Sequence, residues 1–532
     1  MIRKIRSVNL INRFVLLSIN ILCALTVFAD VKLPAIFSDK MVLQQKSNVT
    51  VWGWADAGEK ITVTPSWRME KSFNAKADAS GNWKIIMPTP SAGGPYLLKI
   101  KGNNVIELKD VLVGEVWVCS GQSNMVFSLK SSYNAKEEIQ KADYPNIRYF
   151  SVKRQYGMQE FKDAPGSAWE KTSSETAPSF SAVAYYFAKK IHQQLNVPVG
   201  IVYAAWGGTP AEAWTPSSTL KSDSVLYLPV KRWKEMYITV GKDSIAYHAA
   251  LDKWNAARKS GESIKLKKPE EPATLISYNR PWREPSVLFN GMINPVIPYK
   301  IKGVLWYQGE SNVSYANEYY HLFSSMINGW REQWNQPKLP FYFVQIAPFA
   351  YSKMDAAAQL RDAQYKVSKN VLNTGMAVTV DLGDMKDQHF TRKKEVGDRL
   401  AFIALAKDYG YKEKIYTGPE CINAFLEGSK VVVVFDQALH TTNGDTAAGF
   451  EIGYRTTESD SIIFVKPEIR IDSNEVIIWN EKVYRPEIVR YAWLRINEAN
   501  LANKEGLPAL PFATEIHTSI RGIDRMEKKQ SR

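Results

Sequence analysis

Val116-Trp117-Val118-Cys119-Ser120-Gly121-Gln122-Ser123-Asn124-Met125 reads as a buried strand that runs straight into a glycine turn and presents one serine hydroxyl. Residues 116–119 are continuously apolar, as in a strand covered on both faces of a parallel sheet, rather than alternating as in a half-solvated one. Ser123, at the turn, is a candidate nucleophile. The plain structural alternative is a serine capping a helix at an ordinary strand-to-helix turn. A free hydroxyl is a poor nucleophile near neutral pH, so the catalytic reading needs a base, an orienting partner for that base and oxyanion donors elsewhere in the chain.

Outward from this segment, apolar strand-like runs at 111–119, 199–205, 304–307, 341–346 and 377–381 alternate with helical patterns at 182–195, 318–334, 356–368 and 394–409. Such alternation predicts an α/β fold with a parallel sheet flanked by helices on both faces. Upstream, residues 30–110 carry short β-type runs such as Val49-Thr50-Val51-Trp52-Gly53-Trp54, separated by turns such as Ala79-Ser80-Gly81-Asn82, the spacing of a small antiparallel sandwich. Downstream, runs such as Val431-Val432-Val433-Val434-Phe435 and Val476-Ile477-Ile478-Trp479 predict a second β module with a tail over 413–532. The catalytic unit is thus expected at 111–412. A lysine-rich helical stretch at about 225–284 interrupts it, read as an insertion that forms either a lid or substrate wall or a solvated excursion.

The chain has 532 residues, enough for two to four folding units at the usual ~100 to 200 residues per domain. Arg3, Lys4, Arg6 and Arg13 precede the apolar stretch 14–28, and Val27-Phe28-Ala29 offers small residues for cleavage. Residues 1–29 therefore read as a secretory signal peptide and predict a secreted or periplasmic protein. A lipoprotein signal fits less well, because bulky Leu22 precedes Cys23. No later run approaches the ~18 apolar residues of a membrane span, so no integral span is expected in the mature chain. Loss of the leader removes four basic and no acidic residues and lowers the formal charge from +14 to +10. The remaining basic residues are scattered rather than interleaved with aromatics, which argues against nucleic acid as a partner. Cys119 and Cys421 alone follow the leader, too few for a disulfide framework or a cysteine zinc site, and Cys119 reads as a small core residue.

Reactive groups in open parallel sheets gather at the carboxyl ends of the strands. Three further loops there carry useful chemistry. Ala205-Trp206-Gly207-Gly208-Thr209 offers backbone N–H groups at close approach, although a tight turn explains its glycines equally well. Trp306-Tyr307-Gln308-Gly309-Glu310-Ser311-Asn312 offers the Asn312 amide, whose plain alternative is a helix cap. Leu382-Gly383-Asp384-Met385-Lys386-Asp387-Gln388-His389 holds one of only six histidines, amid carboxylates. Imidazole titrates near ~6.5 in model peptides, so a histidine is mostly neutral at pH 7, as a general base must be. Asp387 or Asp384 would accept a hydrogen bond from its other nitrogen. His192, His321 and His440 lie in helix or β patterns without such company and are assigned structural roles.

Taken in order, Gly121-Gln122-Ser123-Asn124-Met125, Trp206-Gly207-Gly208-Thr209-Pro210-Ala211-Glu212-Ala213-Trp214 and Trp306-Tyr307-Gln308-Gly309-Glu310-Ser311-Asn312 resemble the SGNH-hydrolase superfamily, and within it the secreted sialate O-acetylesterase family. The resemblance implies a three-layer SGNH-hydrolase-like fold and a serine esterase that removes O-acetyl groups from carbohydrates without metal or organic cofactor. It implies Ser123 as nucleophile, His389 as base, and Gly208 and Asn312 as oxyanion donors beside the Ser123 N–H. Many superfamily members place the acid three residues before the histidine, where this chain has Lys386. Asp387 is therefore the first choice by proximity, Asp384 the second, and a Ser-His dyad oriented by a backbone carbonyl the third. Arg361 and Gln364 stand either as substrate contacts or as part of a solvated helix face. The acetylated carbohydrate is expected to be a sialic acid, with plant hemicellulose such as acetylxylan, or acetylated sugars generally, as rivals. A different class, a non-catalytic glycan-binding protein, is suggested by the 16 tryptophans and the β modules but opposed by the intact Ser, His and Asn set. Oligomeric state is not legible.

Overall fold

A computed structural model describes residues 30–260, 266–456 and 459–518. The signal peptide expected at 1–29 and the last part of the expected tail lie outside the described residues. Among the described residues no helix is long and apolar enough to cross a membrane.

The molecule is built on a mixed sheet. Its strands are β1 (Val105–Gly121), β2 (Tyr144–Ser151), β3 (Trp169–Thr172), β4 (Val199–Ala205), β5 (Gly303–Tyr307), β6 (Phe341–Val344) and β7 (Thr374–Ala377), in the spatial order β7-β6-β5-β1-β4-β2-β3. All neighbours are parallel except β2 and β3, which pair antiparallel at one edge. Val118 of β1 lies opposite Val202 of β4 and Val304 of β5, so the strand that ends at the serine turn has a partner on each side.

Helices α1 (Ala182–Leu195), α2 (Leu228–Lys259), α3 (Ala316–Gln333), α4 (Met354–Asn370) and α5 (Lys393–Asp408) supply most of the remaining regular structure of this part. The two-residue period of β1 divides its side chains between two apolar clusters. Val116 and Val118 join Met326 and Trp330 of α3 and Val367 of α4, whereas Trp117 and Cys119 join Phe187 of α1 and Leu400 of α5. Burying each such aliphatic or aromatic side chain contributes on the order of 1.5–3 kcal/mol, which is why the continuous apolar runs are central. α1 starts where Ser181 Oγ accepts the Ala184 N–H and stops at Asn196, whose φ of 53° turns the chain out of the helix.

β1 is longer than the run at 111–119 suggested. Its first residues pair antiparallel with Gly93–Lys101, and its last pair parallel with β4 and β5. The expected boundary at 110/111 thus falls inside one continuous strand. Asp110, at φ 55°, marks the change, and its two carboxylate oxygens each take a 3.1 Å hydrogen bond from Arg148.

The run expected as a strand at 377–381 is a correction. The strand is Thr374–Ala377, and residues 378–381 leave the sheet. β7 is the edge strand and its one neighbour, β6, ends at Val344, so the ladder stops. Beyond it the Thr379 hydroxyl donates to Gln345 O at 2.8 Å, and Asp381 pairs with Arg399 at 2.6 Å.

Residues before β1 form antiparallel pairs, among them Asn48–Trp54 with Asn82–Pro88. After α5 the chain returns to antiparallel strands, including Lys430–Phe435 beside Glu475–Trp479. The stretch expected as a helical insertion contains α2, whose buried residues are only Pro229 and Met236, then Ala273–Tyr278 and the short turn Pro281–Arg283.

Candidate active site

β1 delivers Ser123 through a turn that only glycine fits. Gly121 has φ 137°, and a Cβ there would stand 2.1 Å from Tyr307 O of β5. Gln122 N–H donates to the same carbonyl at 2.9 Å, and Ser123 opens a single helical turn, Ser123–Val126. Across 266 residues of sequence, His389 Nε2 lies 2.8 Å from Ser123 Oγ. That is hydrogen-bond distance for proton transfer from the hydroxyl to the ring.

Asn124 ties the two loops together. Its Nδ2 donates to Glu310 Oε1 at 2.6 Å and to Gln388 O at 3.2 Å, while its Oδ1 accepts from Lys393 Nζ at 2.6 Å. The residue after the serine therefore holds the peptide just before the histidine. Lys393 is fully buried, with its Nζ 3.7 Å from the Phe390 ring centroid. Burial pushes its ammonium down to about 7, against the opposing pull of Glu310 and Asp387. Burial raises the Glu310 carboxyl in turn, and its buried Oε2 has no hydrogen-bond partner among the described residues.

The acids of the histidine loop are placed less tightly. Asp387 Oδ1 accepts the backbone N–H of His389 at 2.8 Å and lies 3.9 Å from His389 Nδ1, with 58% of its side chain exposed. Asp384 Oδ1 accepts the N–H of Lys386 at 2.8 Å. A separation of 3.9 Å is an electrostatic contact rather than a hydrogen bond.

Asn312 has its amide orientation fixed. Its Oδ1 accepts from Ala211 N at 2.9 Å and from Gln308 Nε2 at 2.7 Å, and its Nδ2 donates to Glu212 Oε2 at 2.9 Å. An NH₂ group has two hydrogens, so one donor is left after the Glu212 contact. Glu212 is buried, and burial raises its carboxyl above the ordinary range. In the glycine loop, a Cβ on Gly207 would lie 3.5 Å from Ser123 Cβ, and Gly208 takes φ 70° with open space around it. Thr209 locks the turn, donating to Trp206 O at 2.7 Å and accepting from Trp214 Nε1 at 2.9 Å.

The structure thus brings Ser123, His389, Asp387 and the glycine and asparagine loops to one end of the sheet. Arg361 and Gln364 are neither substrate contacts nor a solvated face, which corrects both readings. Both are buried in α4; Arg361 Nη2 donates to Trp493 O at 2.7 Å, and Gln364 Oε1 accepts Ile346 N–H at 2.9 Å. Asn124 and Glu310 belong to motifs that the sequence singles out, without roles of their own there, and Lys393 lies outside those motifs. A lysine at a helix start ordinarily reads as solvated, so no sequence signal marked it.

Comparison with known proteins gives a consistent result. A family model described as "Carbohydrate esterase, sialic acid-specific acetylesterase" matches residues 113–266 and 271–406. The sialate O-acetylesterase of Rattus norvegicus is 28% identical over 530 residues, covering 91% of this chain and 94% of that protein. That of Homo sapiens is 30% identical over 419 residues, 72% of each chain. Among solved structures, a carbohydrate acetylesterase from Xanthomonas citri is 31% identical with a TM-score of 0.76, covering 91% of this chain and 99% of that one.

Proposed function

Because the chain belongs to the sialic acid-specific acetylesterase family of carbohydrate esterases, and is on that ground a carboxylic ester hydrolase, we propose that it removes O-acetyl groups from sialic acids by a Ser-His(-Asp) acyl-enzyme route on an SGNH-type fold. The observation that carries this reading is the 2.8 Å contact between Ser123 Oγ and His389 Nε2. Ser123 Oγ attacks the acetyl carbonyl as His389 Nε2 takes its proton. The tetrahedral oxyanion is met by the Ser123 N–H, the Gly208 N–H and the remaining Asn312 amide hydrogen. Collapse breaks the bond to the sugar oxygen, which takes the proton from His389 to leave as the hydroxyl, and acetyl-Ser123 remains. Water, deprotonated by the same imidazole, then releases acetate. The reading includes export: residues 1–29 are removed and the enzyme acts as a secreted or periplasmic protein, with residues 111–412 as the catalytic domain.

A serine-directed fluorophosphonate tests the chemistry. Acetate release from an O-acetylated sialic acid should cease as the probe reaches one equivalent, and peptide mapping should place the adduct on Ser123. Acetate release that continues on the fully labelled protein would remove the mechanism.

The acid has its own test. Asp387 is more than half exposed and 3.9 Å from Nδ1, so water screens its stabilisation of the imidazolium. Asp387→Asn is expected to lower kcat by about tenfold, well short of the loss for a buried triad acid. Asp384→Asn, measured beside it, should change kcat less. The reverse order would transfer the orienting role to Asp384.

A further inference from the structure

The insertion returns to the catalytic loops at Pro281–Arg283. Trp282 stacks on Trp206 of the glycine loop with ring centroids 5.6 Å apart and planes at 11°. Trp206 N–H in turn donates to Gly121 O, at the serine turn, at 3.1 Å. The next residue, Arg283, lines a cavity of about 370 Å³ whose other walls include Glu212, Arg232, Ser277, Ser311 and Tyr315. Ser311 adjoins Asn312, and its N–H donates to Gln122 Oε1 at 3.2 Å. The cavity therefore adjoins the loops that carry Gly208 and Asn312, through Pro210, Glu212 and Ser311 on its wall, and Ser311 links it to the turn of the nucleophile.

The charges in this cavity are not balanced. Arg232 is satisfied, with two hydrogen bonds to Glu318 at 2.8 and 2.9 Å and its guanidinium 3.9 Å from the Tyr315 ring centroid. Arg283 is half-buried, and among the described residues its guanidinium has neither a carboxylate within ion-pairing distance nor a hydrogen-bond partner. Glu212 shares the cavity, yet its Oε2 is engaged by Asn312, and burial raises its carboxyl against the opposing pull of Arg232 and Arg283. Glu235, also on the wall, is exposed and paired with Lys231 at 3.9 Å. A half-buried guanidinium with its donors unused matches a planar anion that accepts two parallel hydrogen bonds. Trp233, also on the wall, offers an indole for the C–H side of a sugar ring.

We propose that this cavity is a subsite for a carboxylate-bearing sugar, in which Arg283 binds the carboxylate while the acetyl group of the same sugar lies at Ser123. This rests on the function proposed above and deepens it, since it makes an anionic sugar, rather than a neutral acetylated glycan, the substrate that the insertion selects.

The test compares acetate release from an O-acetylated sialic acid and from its carboxyl methyl ester, which differ in charge and not in the scissile bond. The parent enzyme should favour the free acid at least tenfold in kcat/KM, equivalent to about 1.4 kcal/mol. Arg283→Gln should bring the ratio close to one, and Arg283→Lys should restore part of it. Equal kcat/KM for acid and methyl ester in the parent would overturn the subsite by itself, whatever the folding of the variants. So would a preference that survives in Arg283→Gln. Acetate release by Ser123→Ala is followed in parallel. If it is lost while the acid preference is absent, the subsite alone falls; if it persists, the serine mechanism falls.

Discussion

Ser123→Ala is expected to lower kcat for acetyl-ester cleavage by about 10⁴ to 10⁶, and His389→Ala by a comparable factor. The two groups act as one unit. The hydroxyl is a useful nucleophile only while an imidazole 2.8 Å away accepts its proton, and the imidazole has nothing to deprotonate once the hydroxyl is gone. The double variant should therefore be no slower than the slower single variant, rather than the product of the two losses. Single-turnover acetate release, with circular dichroism to verify the fold, measures all three. Losses that multiply would mean that serine and histidine act independently, and a Ser123→Ala protein within tenfold of the parent would place the chemistry on another residue.

The parts of this site that the sequence revealed are those tied to backbone periodicity. Short continuous apolar runs that alternate with helical patterns fit strands buried on both faces, so β1, β4, β5 and β6, and the loops after them, were legible. His389 was legible because histidine is scarce and because its loop follows a strand. β7 was misplaced by several residues because it has a neighbour on one side only: where an edge ladder stops depends on the length of β6, which residues 374–381 do not encode. Arg361 and Gln364 were misread for a related reason. A helical period reports which residues share a face, not what covers that face, and here Trp493 O, far along the chain, accepts from Arg361. Lys393 and Arg283 show the same limit for charge. Both count as surface residues by composition; one is buried against Phe390 and Asn124, and the other faces a cavity.

Asn312→Ala is expected to lower kcat by about 10² to 10³ with a smaller change in KM, the range measured for loss of one oxyanion donor elsewhere. The developing negative charge exists only in the transition state, so a donor aimed at it lowers the barrier more than it tightens substrate binding. Asn312 is preorganised for this. Its oxygen is held by Ala211 and Gln308 and its nitrogen by Glu212, so the amide needs no rotation as the oxyanion forms. The same contacts supply the control. Asn312→Asp keeps the shape and an oxygen for the Ala211 and Gln308 donors but removes the NH₂, and sets a second carboxyl against the buried Glu212. It should be at least as slow as Asn312→Ala, and its deficit should shrink at low pH as the carboxyl pair takes up a proton. A loss that appears chiefly in KM would make Asn312 a ground-state binding residue. A near-parental kcat in both variants would remove it from the oxyanion site and leave that charge to the backbone N–H groups of Ser123 and Gly208.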